Sequence, residues 1–179
     1  MKSNFFNPFR VIAGGKALMW GLLFIASAIA LLWCSGCVQN GYLHFGLLPD
    51  GGRLWQVAVL QITYWLLPAL LLYSCGVAMS KSKIRIIDML GTTAFAQLLV
   101  IPMVAVLPFV DVAHILTIPL YLLTLLALWE LACLVVFLLW NYSAFAVSCN
   151  VGGAKAVVAF VAVQVLLVIF AGQLSSWLL

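Results

Sequence analysis

Apolar residues dominate this chain in stretches of about 20, separated by short polar or glycine- and proline-bearing breaks. A run of that length is what a helix needs to cross a bilayer core. Five such spans can be drawn: about Ala17–Val38, Leu54–Met79, Ile87–Leu107, Ile115–Trp140 and Lys155–Leu179. The division between the third and fourth rests on "LPFVDVAH", Leu107 to His114, where Pro108, Asp111 and His114 argue for a surface turn. The pattern predicts an all-α fold: an integral membrane bundle of five transmembrane helices forming one domain over residues 1–179.

The connections hold no further module. Gln39 to Arg53 is the longest stretch between spans, and its Gly41, Gly46, Pro49, Gly51 and Gly52 predict turns. Ahead of the first span, basic residues are followed by Phe5, Phe6, Pro8 and Phe9, unlike the short apolar region of a signal peptide. Asn7-Pro8 reads as a cap with proline at the first helical position. Phe9, Ile12 and Ala13 would then share one face of a short N-terminal interfacial helix, broken from the first span by Gly14-Gly15.

Composition agrees with lipid as the solvent. Of 179 residues, 67% are hydrophobic and 7% charged, against about 25% charged in soluble domains. The net charge of +4 is carried by eight basic and four acidic residues, and no basic stripe suited to nucleic acid is present. Placement is more telling than the total. With five spans, Lys2, Arg10, Lys16, Lys81, Lys83, Arg85 and Lys155 fall on one side, and Arg53 alone on the other. The positive-inside rule then predicts a cytoplasmic N-terminus and a C-terminus outside.

The first span closes on "LLWCSGC", where Cys34 and Cys37 form a C-x-x-C arrangement. A membrane thiol oxidase would need a second cysteine pair nearby. Cys75, Cys133 and Cys149 belong to the cytoplasmic side or to the fourth span. Metal binding lacks partner ligands in the same way. A lipoprotein signal would want an aliphatic residue at Cys34, and a helical Cys34–Cys37 disulfide would be strained. The stretch reads best as a small-residue helix end, with cysteine behaving as a small hydrophobe.

Polar residues inside the spans are the candidates for function. Glu130 sits about fifteen residues into the predicted fourth span, roughly 22 Å along it, in the cytoplasmic half. Such a carboxyl faces a bundle interior or a water-filled cavity. It is either a cation- or proton-binding group or a structural carboxyl paired with Lys155, Gln97 or Gln164, and the lack of a second embedded carboxylate favours structure. Gln97 and Gln164 fall near the midplane, where a hydrogen-bonded contact between third and fifth spans is expected. The sharper alternative is a polar path lined by Gln61, Gln97, Glu130 and Gln164. Asp88 complements the dipole of the third span and can pair with Arg85. Asp111 and His114 are too few for a structural zinc site. No catalytic, cofactor-binding or metal-ligating set is expected.

Packing cues are weaker. Pro68 and Pro102 should kink their spans. Ala26 and Ala30, and Ala156, Ala159 and Ala162, offer small-residue faces for close helix approach. Trp55, Trp140 and Trp177 suit interfaces, whereas Trp129 is deeper and expected to pack. Asn141-Tyr142-Ser143 matches a glycosylation acceptor, but on this topology faces the cytoplasm.

The chain resembles the Yip (Ypt-interacting protein) family of five-span membrane proteins, as a small prokaryotic relative. The resemblance rests on "FFNPFRVI" before the first span and "KSKIRIIDMLGTTAFAQLLVIP" entering the third. "LWELACLVVFLLWNYSAFAVSCNVGGAKAVVAFVAV" resembles the family's closing pair. It implies a non-enzymatic five-span protein of a prokaryotic inner membrane, with the bilayer as partner and a tendency to self-associate or bind other membrane proteins. The family's eukaryotic members act in membrane traffic through small GTPases. About 16 residues precede the first span here, and the acidic, aromatic segment of those members has no counterpart, so GTPase binding is not inferred. Three classes stand: a non-catalytic organiser of partners or bilayer, a small transporter or channel using Glu130 and the glutamines, and a thiol oxidoreductase built on Cys34 and Cys37.

Overall fold

A computed structural model describes residues 8–10, 12–39, 45–49, 52–80, 82–110 and 118–178. Among them are five helical spans long and apolar enough to cross a bilayer, making the chain an integral, multi-pass membrane protein with an all-α bundle. Helix α1 covers Gly14–Cys34 and α2 Leu54–Met79. The third span is α3 (Ile86–Ala96), a 3-10 turn (Gln97–Leu99) and α4 (Val100–Val104), closed by a second 3-10 turn at Leu107–Phe109. Helix α5 covers Leu120–Ser148 and α6 Gly153–Leu178.

Successive spans run in opposite directions. Lys16, Lys83, Arg85 and Lys155 therefore gather at one end of the bundle, here the basic end, and Arg53 lies at the far end. Helix α3 is central. It packs most closely on α1 and also meets α5 and α2, while α6 packs on α2 and, less closely, on α5.

The α1–α3 seam is built from absent side chains. The buried stripe of α1 is Gly14, Ala17, Gly21, Ile25, Ala28 and Leu32, spaced three and four apart. A Cβ added at Gly21 would overlap both the Cβ and the backbone of Ala94. One added at Gly91 would overlap the Gly14 carbonyl oxygen. The two backbones thus touch, which in lipid is how dispersion forces substitute for a hydrophobic drive. The expected small faces lie elsewhere: Ala26 and Ala30 are exposed, and of the α6 set only Ala156 is fully buried.

Helix ends follow local chemistry. Gly14, at φ +65°, lets the chain enter α1 three residues before the expected start. Among the described residues the N-terminal lead-in holds one 3-10 turn, Pro8–Arg10, in place of the expected interfacial helix, and Asn7 and Val11 lie outside them. Phe9 is buried in the bundle, edge-on to Phe95 at 6.2 Å and Trp140 at 6.0 Å. Helix α2 runs through Pro68 without interruption. Pro102 is different. Its ring excludes the Leu98 carbonyl from a helical bond, and the span tightens into 3-10 geometry at Gln97–Leu99.

The fourth span is displaced from its expected limits. Pro119 caps α5 and sets its start at Leu120, with Asp111, His114 and Ile115 outside the described residues. The helix continues past Trp140 to Ser148, and the first polar residue on that extension is satisfied within it. Asn141 is buried, and its Nδ2 donates to the Phe137 carbonyl at 2.9 Å. A Schellman closure then ends α5. The Val151 N–H donates to Ala146 O at 3.1 Å and the Asn150 N–H to Val147 O at 3.4 Å, with Asn150 at φ +50°. Four residues link α5 to α6. Trp140 is accordingly buried, stacked on Phe95 at 6.1 Å, and Trp129 is the exposed one of the pair.

The far end carries a feature the turn-rich loop concealed. Cys37–Gln39 (β1) pairs antiparallel with Phe45–Leu47 (β2), Val38 facing Gly46, and all of β1 is buried. Gln56 Nε2 donates to Leu178 O at 2.8 Å, and Tyr64 Oη to Ala171 O at 3.1 Å, tying α6 to α2 near this end.

Because the seam has no room for a Cβ, Gly21→Ala should destabilise the detergent-solubilised protein by about 1–3 kcal/mol, an overpacking cost. Gly15→Ala, which meets nothing within 4 Å, should leave its thermal midpoint unchanged or raised. Equal midpoints for the two variants would contradict the seam.

Candidate functional site

The buried face of α2 is Val57, Leu60, Gln61, Tyr64, Trp65, Pro68, Ala69, Leu72 and Gly76, so helical spacing drives Gln61 inward among apolar neighbours. Gln97 is placed by the 3-10 turn that breaks the third span. The two side chains meet: Gln61 Nε2 donates to Gln97 Oε1 at 3.4 Å, both residues being almost wholly inaccessible. Gln97 lines a cavity with Gln39, Phe45, Tyr64, Val100, Met103 and Phe137. At about 10 Å³ it has room for one water. Gln61 Oε1 has no hydrogen-bond partner among the described residues. In a bilayer interior an unmet amide oxygen is expensive, so this cluster is poised to take a donor.

The structure separates the rest of the expected polar set. Gln164 does not pair with Gln97; neither of its amide atoms has a partner among the described residues. The cause is packing order: α6 lies on α2, which keeps it from the third span. Glu130 occupies the stripe Leu123, Leu126, Glu130, Cys133, Phe137 and Trp140, the side of α5 turned to the bundle. The last three are buried and the first three only half-buried. With α5 extended to Ser148, Glu130 lies about 27 Å from its basic end, in the far half of the helix. Lys155, in the first turn of α6, is at the basic end. Roughly 25 Å of helix separates them, so Lys155 is not its partner.

Sequence reading missed Gln39. As the first residue after the predicted first span it reads as part of the loop, yet β1 carries it inward to line the cavity with Tyr64 of α2, Gln97 and residues of α4. Gln39 pairs with Phe45 across residues 40–44, a longer connection than a two-residue hairpin turn, so no short turn signal in the sequence announces it. A hydroxyl cluster at the basic end was missed as well. Ser148 Oγ lies 2.9 Å from Thr92 Oγ1 and donates to Asp88 O at 3.2 Å. Asp88 forms the expected ion pair with Arg85 at 2.9 Å.

The cysteines are placed as helix furniture. Cys34 is the last residue of α1, Ser35 caps it, Gly36 turns at φ +63°, and Cys37 opens β1. Among the described residues every cysteine is a free thiol. Cys149, at the α5 cap, packs against Gly76. Burial, with a smaller contribution from neighbouring Cys75, pushes its thiol up to about 11.

No family model matches the chain, and neither a curated protein nor a solved structure matches it.

Two measurements test this geometry. A double-mutant cycle of Gln61→Leu and Gln97→Leu should give a coupling of about 0.6 kcal/mol, within the range of interhelical polar contacts in bilayers. Zero coupling would show that the amides do not meet. Thiol alkylation should reach exposed Cys34 readily, while Cys149 stays unmodified near neutrality and reacts only as pH climbs toward its pKa of about 11. Equal labelling of both at neutral pH would refute that burial.

Proposed function

We propose that this protein is a non-catalytic, Yip-like integral membrane protein that organises membrane partners. The observation that carries the reading is the outer half of α5. From Leu120 to Ala132 no residue is buried, although the same helix is well packed from Cys133 onward. Leu125, Leu128 and Leu131 are more than half exposed along this stretch. Glu130 sits in it, at membrane depth, with no basic residue of the described chain beside it. This stretch meets the bundle along one edge only, where Leu123 and Leu126 are half-buried and Trp129 Nε1 donates to Pro102 O at 3.2 Å. An embedded carboxyl on a loosely held helix is costly alone and is relieved by a polar group from a neighbouring helix. A second copy of the chain or another membrane protein would supply one.

The concentration of Lys16, Lys83, Arg85 and Lys155 at one end supports a cytoplasmic basic end, with the N-terminus inside. A second reading, transport, draws on the break in the third span at Gln97 beside Gln61. Discontinuous helices line substrate sites in many transporters. It would show as a solute or proton flux in vesicles, lost in Glu130→Gln.

A photo-reactive residue at Leu125 should give a protein adduct of discrete mass in native membranes, and Glu130→Leu should weaken it severalfold. Adducts with lipid alone would refute the organising role.

A further inference from the structure

A second feature, independent of α5, lies at the basic end. Helix α2 stops at Met79 and α6 begins at Gly153, and between these ends opens a cavity of about 740 Å³. That is within the range of small-molecule sites. Its polar lining is Ser80, Ser82, Asn150 and Lys155, and its apolar lining includes Met79 and Val151. The charges around it are unbalanced. Lys155 stands in the first turn of α6, where the helix dipole already presents positive charge, and that turn holds no acidic residue. Among the described acids, Asp88 is engaged by Arg85, and Glu130 is roughly 25 Å away along the bundle. A cation placed against a helix dipole, with two hydroxyls and an amide beside it, calls for an anion from outside the chain.

We infer that this cavity binds the phosphate headgroup of an anionic phospholipid. Lys155 supplies the charge; Asn150 and one hydroxyl of the Ser80–Ser82 pair, whose Oγ atoms lie 2.8 Å apart, supply hydrogen-bond donors. The site lies where the helix ends reach the headgroup layer. Met79 and Val151 offer an apolar wall for the glycerol and the start of the acyl chains, and Val77 below them is exposed to lipid. A freely soluble phosphate would make no use of that wall. Basic pockets between helix ends are a general means of headgroup capture.

The test uses the full chain in phosphatidylcholine vesicles titrated with spin-labelled phosphatidylglycerol, read as the motionally restricted lipid fraction. Preference for phosphatidylglycerol should fall about fivefold in Lys155→Gln, be kept in Lys155→Arg, and fall by a smaller factor in Ser80→Ala/Ser82→Ala. Lys16→Gln, at the same end but outside the cavity, should change nothing. The proposal is overturned if Lys155→Gln binds like the parent chain, or if Lys16→Gln loses as much, since diffuse surface charge would then suffice. It is also overturned if inorganic phosphate at constant ionic strength abolishes the preference, because the site would then hold a soluble anion.

Discussion

The bundle depends on one close approach, that of α1 to α3. Gly21 lies against Ala94 and Gly91 against the Gly14 carbonyl, with no volume to spare for a methyl group. Lipid chains are as apolar as leucine, so burying leucine gains little in a membrane, and contact density has to do the holding. Glycine and alanine provide it by letting backbones meet. The remaining spans are arranged around this pair: α5 and α2 lean on α3, and α6 on α2.

The second constraint is that polar groups must be satisfied from within. Ser27, Thr63, Ser74, Thr93 and Thr124 each return a hydroxyl to the carbonyl four residues earlier. Asn141 does the same with its amide. Where no local acceptor or donor is available, the side chains of Gln61 and Gln97 find each other across helices. That contact leaves Gln61 Oε1 unmet, and among the described residues the Gln164 amide and the Trp65 indole N–H find no such relief at all.

How much could be read in advance follows from these two constraints. The five spans were legible because length and hydropathy alone decide them, and α2 matches residue for residue. The end of α5 was not, because Asn141-Tyr142-Ser143 reads as polar one residue at a time while the Asn141 amide bonds within the helix. That error, with the later start at Leu120, put Glu130 in the wrong half of the helix and beside Lys155. The Gln97–Gln61 contact was hidden for another reason: depth can be counted along a helix, but which helices are neighbours cannot. The α1–α3 seam was missed because small residues abound in apolar spans, and Ala26 and Ala30 look no different from Gly21 until a partner is placed. "CSGC" was read correctly as a helix end, since Gly36 carries its own conformational signal.

The seam also has a consequence for the order of events at the ribosome. Gly21 is made 73 residues before Ala94, the residue it must touch. At about 5–20 residues per second, α1 waits in the membrane for about 4–15 s before its mate emerges. For that interval its groove is filled by lipid or by the insertion machinery, and docking α3 has to displace whatever occupies it. The tightest contact in the finished molecule is therefore one that synthesis postpones.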